Sequence, residues 1–215
     1  MTFWKRKRPR HLDGDEAPTI RSRIAIFGGT FDPIHDAHLT IAREASIQFG
    51  LSTVLFVVAA NPPHKAGAVV ASYEHRYRMV ELACQGQSGF TPSRIEEDDA
   101  ISYSIHTIEK VKALAGEEAQ VYFLIGADAF AEIQAWHRWN DVVRQAAFIV
   151  VTRPGHYYRT PPGCTVHRLD TLAMPVSSSD IRARLAKGGE APELPPAVLE
   201  YIRFFGLYGY PFKSR

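Results

Sequence analysis

Short and almost uninterrupted apolar runs recur along this chain and alternate with segments of helical spacing. Two examples are Val-Tyr-Phe-Leu-Ile at 121–125 and Phe-Ile-Val-Val at 148–151. Strands of this kind are typically buried on both faces, as in a parallel sheet that is covered by helices on either side. Because strands and helices alternate, the sequence predicts an α/β fold with a doubly wound, mostly parallel sheet. Strands are predicted at 23–27, 53–59, 90–95, 120–125, 147–152 and 164–169, and helices near 37–49, 72–85, 103–115, 139–145, 178–186 and 195–204.

The charge of the chain is unevenly distributed. The whole sequence of 215 residues has a net charge of +2, whereas residues 1–23 contain seven Lys or Arg and three acids, which leaves −2 for the remainder. We therefore predict a basic, disordered N-terminal arm over 1–22 and a single domain over 23–212. A slightly acidic body does not favour nucleic-acid binding. The arm itself could touch nucleic acid or anionic lipid, although a solvated terminus is the favoured interpretation.

The sequence contains no sign of export or of a membrane span. No apolar stretch follows the basic arm, as a secretory signal would require, and no run is long enough to cross a bilayer. Cys84 and Cys164 lie far apart and match no metal or redox motif, which suggests a reducing compartment. These features predict a cytoplasmic location, with no membrane partner, and they are compatible with a homo-oligomer.

The most informative local feature is the segment 24–39. The first predicted strand is followed at once by Gly28 and Gly29, and two histidines, His35 and His38, come near the start of the next helix. A strand that leads through a glycine turn into a helix places backbone N–H groups and the positive helix end at the carboxyl edge of a sheet, where a phosphate can bind. Two imidazoles three residues apart can point the same way. The segment predicts phosphate handling by histidine donors, without an obvious nucleophile.

Two common phosphate motifs, a metal pair and a purely structural turn are the alternatives for this segment. The dinucleotide fingerprint G-x-G-x-x-G and the P-loop G-x-x-x-x-G-K-[ST] are both missing from the chain. His35 and His38 could share a metal ion, but no third ligand has a recognisable spacing. A glycine turn that carries two surface histidines without a function is the structural alternative.

Further polar segments are predicted at the carboxyl ends of strands or at a helix start. They are 61–65, with His64 and Lys65 on a proline turn; 126–128, with Asp128; and 176–182, whose serines can cap a helix beside Arg182. Each alone is explained as a turn or a cap. Together they favour a nucleotide site, because ligands of such sheets bind outside the carboxyl ends of the strands. Trp136 could stack on a flat ring or pack in the core, and both interpretations stay open.

These segments resemble a known family. Gly-Gly-Thr-Phe-Asp-Pro-Ile-His-Asp-Ala-His-Leu at 28–39 is similar to the first motif of bacterial nicotinate-nucleotide adenylyltransferases, within the wider T/H-x-G-H nucleotidyltransferase superfamily. That motif alone indicates the superfamily, whereas Pro-Pro-His-Lys, Ser-Tyr-Ser and Trp-His-Arg-Trp narrow the resemblance to the nicotinate branch. The family usually has glycine where this chain has Ala37, and threonine at Ser104 and Ser179. The stretches that agree, in order, are 28–39, 61–65, 74–76, 102–104, 125–128, 136–139, 153–155, 177–182 and 206–208.

The resemblance implies a Rossmann-like nucleotidyltransferase fold and adenylyl transfer from ATP to nicotinate mononucleotide, with release of pyrophosphate. It also implies Mg²⁺ that is carried mainly by the ATP phosphates, and no fixed protein metal site. The nearest alternative is a sister enzyme for another phosphorylated acceptor such as phosphopantetheine, and a more distant one is a non-catalytic nucleotide-binding module. The residues implied are His35 and His38 for catalysis; Gly28, Gly29, Phe31, Asp128, Ser178, Ser179 and Arg182 for ATP; and Thr30, Lys65, Ser104 and Trp136 for the nicotinate nucleotide.

Overall fold

The computed structural model describes residues 22–63, 69–152, 158–171 and 176–211. Six strands form one sheet in the order β3-β2-β1-β4-β5-β6, and all five strand pairs are parallel. The strands are β1 (Arg23–Gly29), β2 (Thr53–Val58), β3 (Phe90–Ser93), β4 (Gln120–Gly126), β5 (Ala147–Thr152) and β6 (Val166–Asp170). The helices are α1 (Asp36–Phe49), α2 (Tyr73–Cys84), α3 (Ser104–Ala115), α4 (Ala127–Ala131), α5 (Trp139–Gln145), α6 (Ser178–Leu185) and α7 (Pro196–Phe205), with 3-10 turns at Ile133–Ala135 and Leu207–Gly209.

Successive side chains of a strand point to opposite faces of the sheet. Helices cover both of these faces, so the strand side chains are buried on either side. Phe27 and Phe56 pack in one core cluster together with α1, α2, α6 and α7. Ile26 and Val57, their chain neighbours, pack in a second cluster with α3, α4 and α5. Burial on both faces explains the near-continuous apolar strands, and it confirms the predicted doubly wound α/β fold.

Two local details differ from the predictions. Gly28 and Gly29 were expected in a turn, but they are the last residues of β1 and pair with Val57 and Val58 of β2. The chain turns only afterwards, around the cis peptide bond between Asp32 and Pro33. Helix α4 was not predicted, because its five residues are too few to show a helical period.

Parts of the sequence-based predictions fall outside this description. Residues 1–21 are not described, so the N-terminal arm and the domain bounds 23–212 stay predictions. Among the described residues, no helix combines the length and the apolar character that a membrane crossing needs. Cys84 and Cys164 are both free thiols.

The centre of the sheet positions the site. β1 and β4 are neighbours, and the strand order proceeds outwards from them in both directions. At such a switch point the connections leave to opposite faces and open a crevice at the carboxyl ends of the strands. Gly28 and Gly29 at the end of β1, and Gly126 at the end of β4, lie beside this crevice.

Candidate active site

Two cavities open at the carboxyl edge of the sheet, and Thr30 lines both of them. The first, here called the histidine cavity, has a volume of about 400 Å³. The second, the tryptophan cavity, measures about 630 Å³ and continues inward into a recess of about 220 Å³, the inner recess. The histidine cavity is lined by His35, His38, Ser177, Ser178, Ser179 and Arg182 among others, and the tryptophan cavity by Gly28, Gly29, Pro62, Tyr103, Ser104 and Trp136 among others.

The two histidines lie at the start of α1, with His35 as the N-cap and His38 in the first turn. Their rings stack with centroids 3.8 Å apart and an interplanar angle of 28°. The backbone N–H of His35 donates to Nδ1 of His38 at 3.2 Å, so a neutral His38 carries its proton on Nε2. Phe27 and Phe31 hold the His38 ring edge-on, with centroids 5.9 and 5.2 Å away. The backbone and the core therefore fix both the tautomer and the orientation of His38.

His35 is the more deeply buried imidazole, with 5% of its surface exposed. Burial lowers the pKa of His35 to about 4, although the Glu193 carboxylate acts in the opposite direction. The ring is therefore neutral near pH 7. Its Nδ1 atom is buried and has no hydrogen-bond partner among the described residues.

Helix α6 brings a cation to the same cavity. Ser177 caps this helix, since its Oγ accepts the N–H of Asp180 at 3.1 Å. The Ser178 hydroxyl donates to the carbonyl of Pro33 at 2.9 Å, which ties the helix start to the loop after β1. Arg182 lies one turn further along and also lines the histidine cavity. A guanidinium group, serine hydroxyls and the positive end of α6 together form a site for phosphate oxygens.

Asp32 joins this region to the C-terminal turn. Its side chain is 2% exposed and accepts the N–H groups of Val70 at 2.7 Å and Ala71 at 3.2 Å. The Tyr208 hydroxyl donates to the same carboxylate at 2.7 Å. Arg182 Nη1 donates to the backbone carbonyl of Asp32 at 2.7 Å. Burial and the adjacent carboxylate raise the pKa of Tyr208, so the phenol stays protonated as a donor. Asp32 thus links the C-terminal turn to the arginine of the histidine cavity.

Replacing Tyr208 with phenylalanine is expected to lower the free energy of unfolding by about 1–3 kcal/mol, because the buried Asp32 carboxylate loses a donor. Phosphate binding in the histidine cavity should also weaken, since the Asp32 carbonyl holds Arg182. Thermal unfolding and calorimetric titration with inorganic triphosphate measure the two effects. Tyr210→Phe, on the same segment and only partly buried, is the matched control, and equal losses in both variants would contradict the role of the Tyr208 hydroxyl.

Arg76 of α2 is a buried cation beneath the site, with 2% of its surface exposed. Its guanidinium donates to the carbonyls of Thr30 at 2.9 Å, Ala59 at 2.7 Å, Ala60 at 3.5 Å and Ala71 at 3.2 Å. These carbonyls belong to the loops after β1 and β2 and to the segment before α2. Burial lowers the pKa of Arg76, although nearby anionic groups partly offset this effect. Arg76 therefore holds together the loops that carry Thr30 and the tryptophan cavity.

Asp32, Arg76 and Tyr208 lie in the stretches 28–39, 74–76 and 206–208 that resemble the family, but the resemblance implied no role for any of them. A signal for Arg76 was present. It precedes Met79, Val80 and Ala83 by three, four and seven residues, which places it on the buried face of α2. A charged residue on an apolar helix face is almost always paired. Asp32 and Tyr208 gave no comparable signal, because they lie 176 residues apart.

Trp136 forms one wall of the tryptophan cavity. Its half-buried ring lies edge-on to Phe123, with centroids 5.7 Å apart and an interplanar angle of 72°. The start of α3 forms another wall, and its N-cap residue Tyr103 makes no side-chain hydrogen bond to the helix. The first N–H groups of α3 are therefore not occupied by a side-chain cap, and the positive helix end is available to an anion.

Most, but not all, of the predicted site residues line these cavities. Thr30 lines both the histidine cavity and the tryptophan cavity. Phe31 is instead buried in the core with φ +49°, and a β-carbon at Gly29 would lie 3.0 Å from its ring, which explains the glycine. Asp128 is exposed in the first turn of α4, next to the lining residue Ala129. Lys65 lies outside the described residues.

The fold and the paired cavities define an α/β nucleotidyltransferase. The cytidylyltransferase-like family model matches residues 26–184. A probable nicotinate-nucleotide adenylyltransferase of Solibacter usitatus (strain Ellin6076) is 58% identical over 86% of this chain and 99% of its own length. One from Thermoanaerobacter sp. (strain X514) is 38% identical over 86% of this chain and 94% of its own length. The chain thus belongs to the cytidylyltransferase-like family and, within it, to the nicotinate-nucleotide adenylyltransferases.

Solved structures agree on the fold. A nicotinic acid mononucleotide adenylyltransferase of Plasmodium falciparum, complexed with NaAD, superposes with a TM-score of 0.74. The alignment covers 90% of this chain and 100% of that chain at 20% sequence identity. At this identity the match supports the nucleotidyltransferase fold and not the individual residue roles.

Proposed function

We propose that this protein transfers the adenylyl group of ATP to the phosphate of nicotinate mononucleotide, forming nicotinate adenine dinucleotide and pyrophosphate. The observation that carries the proposal is the pair of cavities that meet at Thr30. One cavity offers phosphate donors, and the other offers a tryptophan and a helix N-terminus. The relatives named as probable nicotinate-nucleotide adenylyltransferases support the same pair of substrates.

The reaction needs positioning rather than a general base, because the attacking phosphate is already an anion. Thr30 lies where the two cavities meet, so the α-phosphorus of ATP would react near this residue. His38 donates from Nε2 as negative charge builds on the α-phosphate, and a fixed donor of this kind stabilises the transition state. Neutral His35 supplies a second contact. Arg182 and the serines at the start of α6 bind the phosphates that leave as pyrophosphate.

The acceptor occupies the tryptophan cavity. Trp136 stacks on the pyridine ring, and backbone N–H groups near Ser104 and Trp136 receive the carboxylate. A β-carbon at Gly28 would meet only the Phe123 ring, at 3.6 Å, so the missing side chain leaves room for the nucleotide. We further assign Asp128 to the adenosine, the backbone of Phe31 to ATP and Lys65 to a phosphate.

Mg²⁺ fits this site as an ion that ATP carries. The histidine cavity offers imidazoles, a guanidinium group and hydroxyls, which suit phosphate oxygens better than a hard cation. The oxygens of Asp32, the one carboxylate in the described part of its lining, already accept two backbone N–H groups and the Tyr208 hydroxyl. Among the described residues, no three His, Cys, Asp or Glu side chains cluster as metal ligands. The ion would supply charge neutralisation on the triphosphate, and the residues above bind and orient the nucleotides.

The test is an incubation with Mg-ATP and a panel of phosphorylated acceptors. The panel contains the acid and amide pyridine mononucleotides and phosphopantetheine, and released pyrophosphate is the readout. We expect release with nicotinate mononucleotide. Release with phosphopantetheine alone would favour the sister enzyme, and nucleotide binding without any release would favour a non-catalytic module.

Trp136→Ala is expected to raise the KM for nicotinate mononucleotide about tenfold, because loss of one aromatic stacking platform weakens ring binding by that order. The KM for ATP and the turnover number at saturation should change little. Trp136→Phe, which retains a stacking face, should recover part of the affinity. Steady-state kinetics with each substrate varied in turn measures these constants, and an unchanged acceptor KM in the alanine variant would remove Trp136 from the ring site.

A further inference from the structure

Glu96 is a buried carboxyl group that the mechanism above does not use. It follows β3, is 6% exposed and lines the inner recess together with Ser104 and Trp136. The inner recess is the deep end of the tryptophan cavity, since both are lined by Gly28, Ser104 and Trp136. A group that enters the tryptophan cavity therefore approaches this carboxyl group.

Hydroxyl donors orient the Glu96 side chain. The hydroxyl of Thr107, on the first turns of α3, donates to it, and the Ser102 hydroxyl is a second hydrogen-bond partner. Ser102 Oγ in turn accepts the N–H of Asn61 at 3.1 Å. Donors of this kind favour the ionised form of a carboxyl group. The orientation of Glu96 is thus set by Thr107 of α3 and by Ser102, which lies just before this helix and is itself bonded to Asn61 after β2.

The charge of Glu96 is not cancelled by a direct ion pair. Lys110, whose charge acts on Glu96, binds Asp99 at 2.5 Å and the carbonyl of Ile95 at 2.9 Å instead. Within the described part of the chain, Glu96 has no salt bridge of its own. In a recess of low dielectric constant, such a carboxylate attracts a cation more strongly than a surface carboxylate does.

The acceptor brings a cation to this place. The ring nitrogen of a pyridine mononucleotide is bonded to the ribose, so the aromatic ring carries a formal positive charge. The face of Trp136 also favours a cationic ring over a neutral one. The recess therefore offers a π-face and a buried carboxylate to the positive charge of the pyridinium ring, while the 3-carboxylate of nicotinate binds the N–H groups near Ser104 and Trp136.

We propose that Glu96 is a specificity-determining residue, whose buried carboxylate makes the tryptophan cavity select a cationic pyridinium ring over a neutral ring of the same shape. This inference rests on the proposed function, because it concerns the acceptor of that reaction. Glu96 takes no part in the transfer itself.

The pKa of Glu96 lies above its usual value in the absence of a ligand. Burial raises the pKa of Glu96, while the hydroxyls of Thr107 and Ser102 act in the opposite direction. Asp99 raises the same pKa and Lys110 lowers it. A pyridinium ring in the recess would lower this raised pKa, so binding of the cation and ionisation of Glu96 favour each other.

The experiment compares two ligands that differ in ring charge. One is nicotinate mononucleotide, and the other is its carbon-linked analogue, in which a neutral 3-carboxyphenyl ring replaces the pyridinium. Dissociation constants are measured by calorimetry for the wild-type protein and for Glu96→Gln, which keeps the volume but removes the charge. The ratio of the two constants cancels any general loss of binding, and Glu97→Gln, an exposed neighbour that pairs with Arg94, is the matched control.

The wild-type protein should prefer the pyridinium ligand, and the preference should fall about tenfold in Glu96→Gln, as expected for loss of one partly desolvated charge contact. Glu97→Gln should keep the wild-type ratio, whereas Thr107→Val, which removes a donor that favours the ionised form, should lower the ratio by less than Glu96→Gln does. An unchanged ratio in Glu96→Gln would overturn the inference, as would equal affinities in the wild-type protein, even if the variant fails to fold. Absence of pyrophosphate release by the wild-type enzyme would instead refute the proposed function.

Discussion

Replacement of His38 by alanine is expected to lower the turnover number roughly hundredfold or more, the usual effect of removing one preorganised transition-state donor. The structure gives the reason. His38 Nδ1 is occupied by the His35 N–H at 3.2 Å, so the neutral ring has its proton on Nε2. No rotation or proton transfer has to precede donation to the α-phosphate. The KM values for both substrates should change far less than the turnover number, because the contact strengthens only in the transition state.

The measurement is the initial rate of pyrophosphate release at saturating substrates, after circular dichroism has shown that the variant is folded. His167→Ala provides the matched control. This histidine lies on the edge strand β6, where its ring packs against Phe49 and Tyr122. It should retain near wild-type turnover. A His38→Ala enzyme with an unchanged rate would end the proposal that His38 is catalytic.

The parts of the site that were predicted from the sequence are local. His35 and His38 follow a strand and open a helix within a few residues, so the sequence already predicts that they point the same way, and the structure stacks their rings at 3.8 Å. The same holds for the Ser177 cap and Arg182 on α6. The doubly wound sheet was predictable too, because strands buried on both faces leave a plain apolar pattern.

The parts that were not predicted depend on contacts between distant segments. The Tyr208 hydroxyl donates to Asp32, which lies 176 residues earlier in the chain. No local periodicity of the sequence indicates such a pair. Glu96 is one of four consecutive acids at 96–99 in the sequence, but the fold buries it in the wall of the inner recess that Trp136 also lines. The β1 extension through Gly28 and Gly29 was missed because glycine favours a turn in isolation, whereas pairing with β2 keeps it extended. Tertiary contacts decided each of these cases.

Replacement of Arg76 by alanine is expected to destabilise the protein by about 3–5 kcal/mol, the range for removing one partner from a buried charged network. Four backbone carbonyls would lose a donor: those of Thr30, Ala59, Ala60 and Ala71. No alanine side chain can replace these bonds, and water would have to enter the site to do so. Urea-induced unfolding, followed by circular dichroism, measures the difference in unfolding free energy.

Arg78 offers the matched comparison for Arg76, since it lies on the same helix but is exposed and pairs with Glu81. Arg78→Ala should lower stability by less than about 1 kcal/mol, as is usual for a surface ion pair. Both variants remove one positive charge from α2, so a difference between them isolates the buried carbonyl contacts. The loops after β1 and β2 carry Thr30 and the start of the proline turn, so Arg76→Ala should also raise the KM values for both substrates. Equal stability of the two variants would show that Arg76 does not hold these loops together.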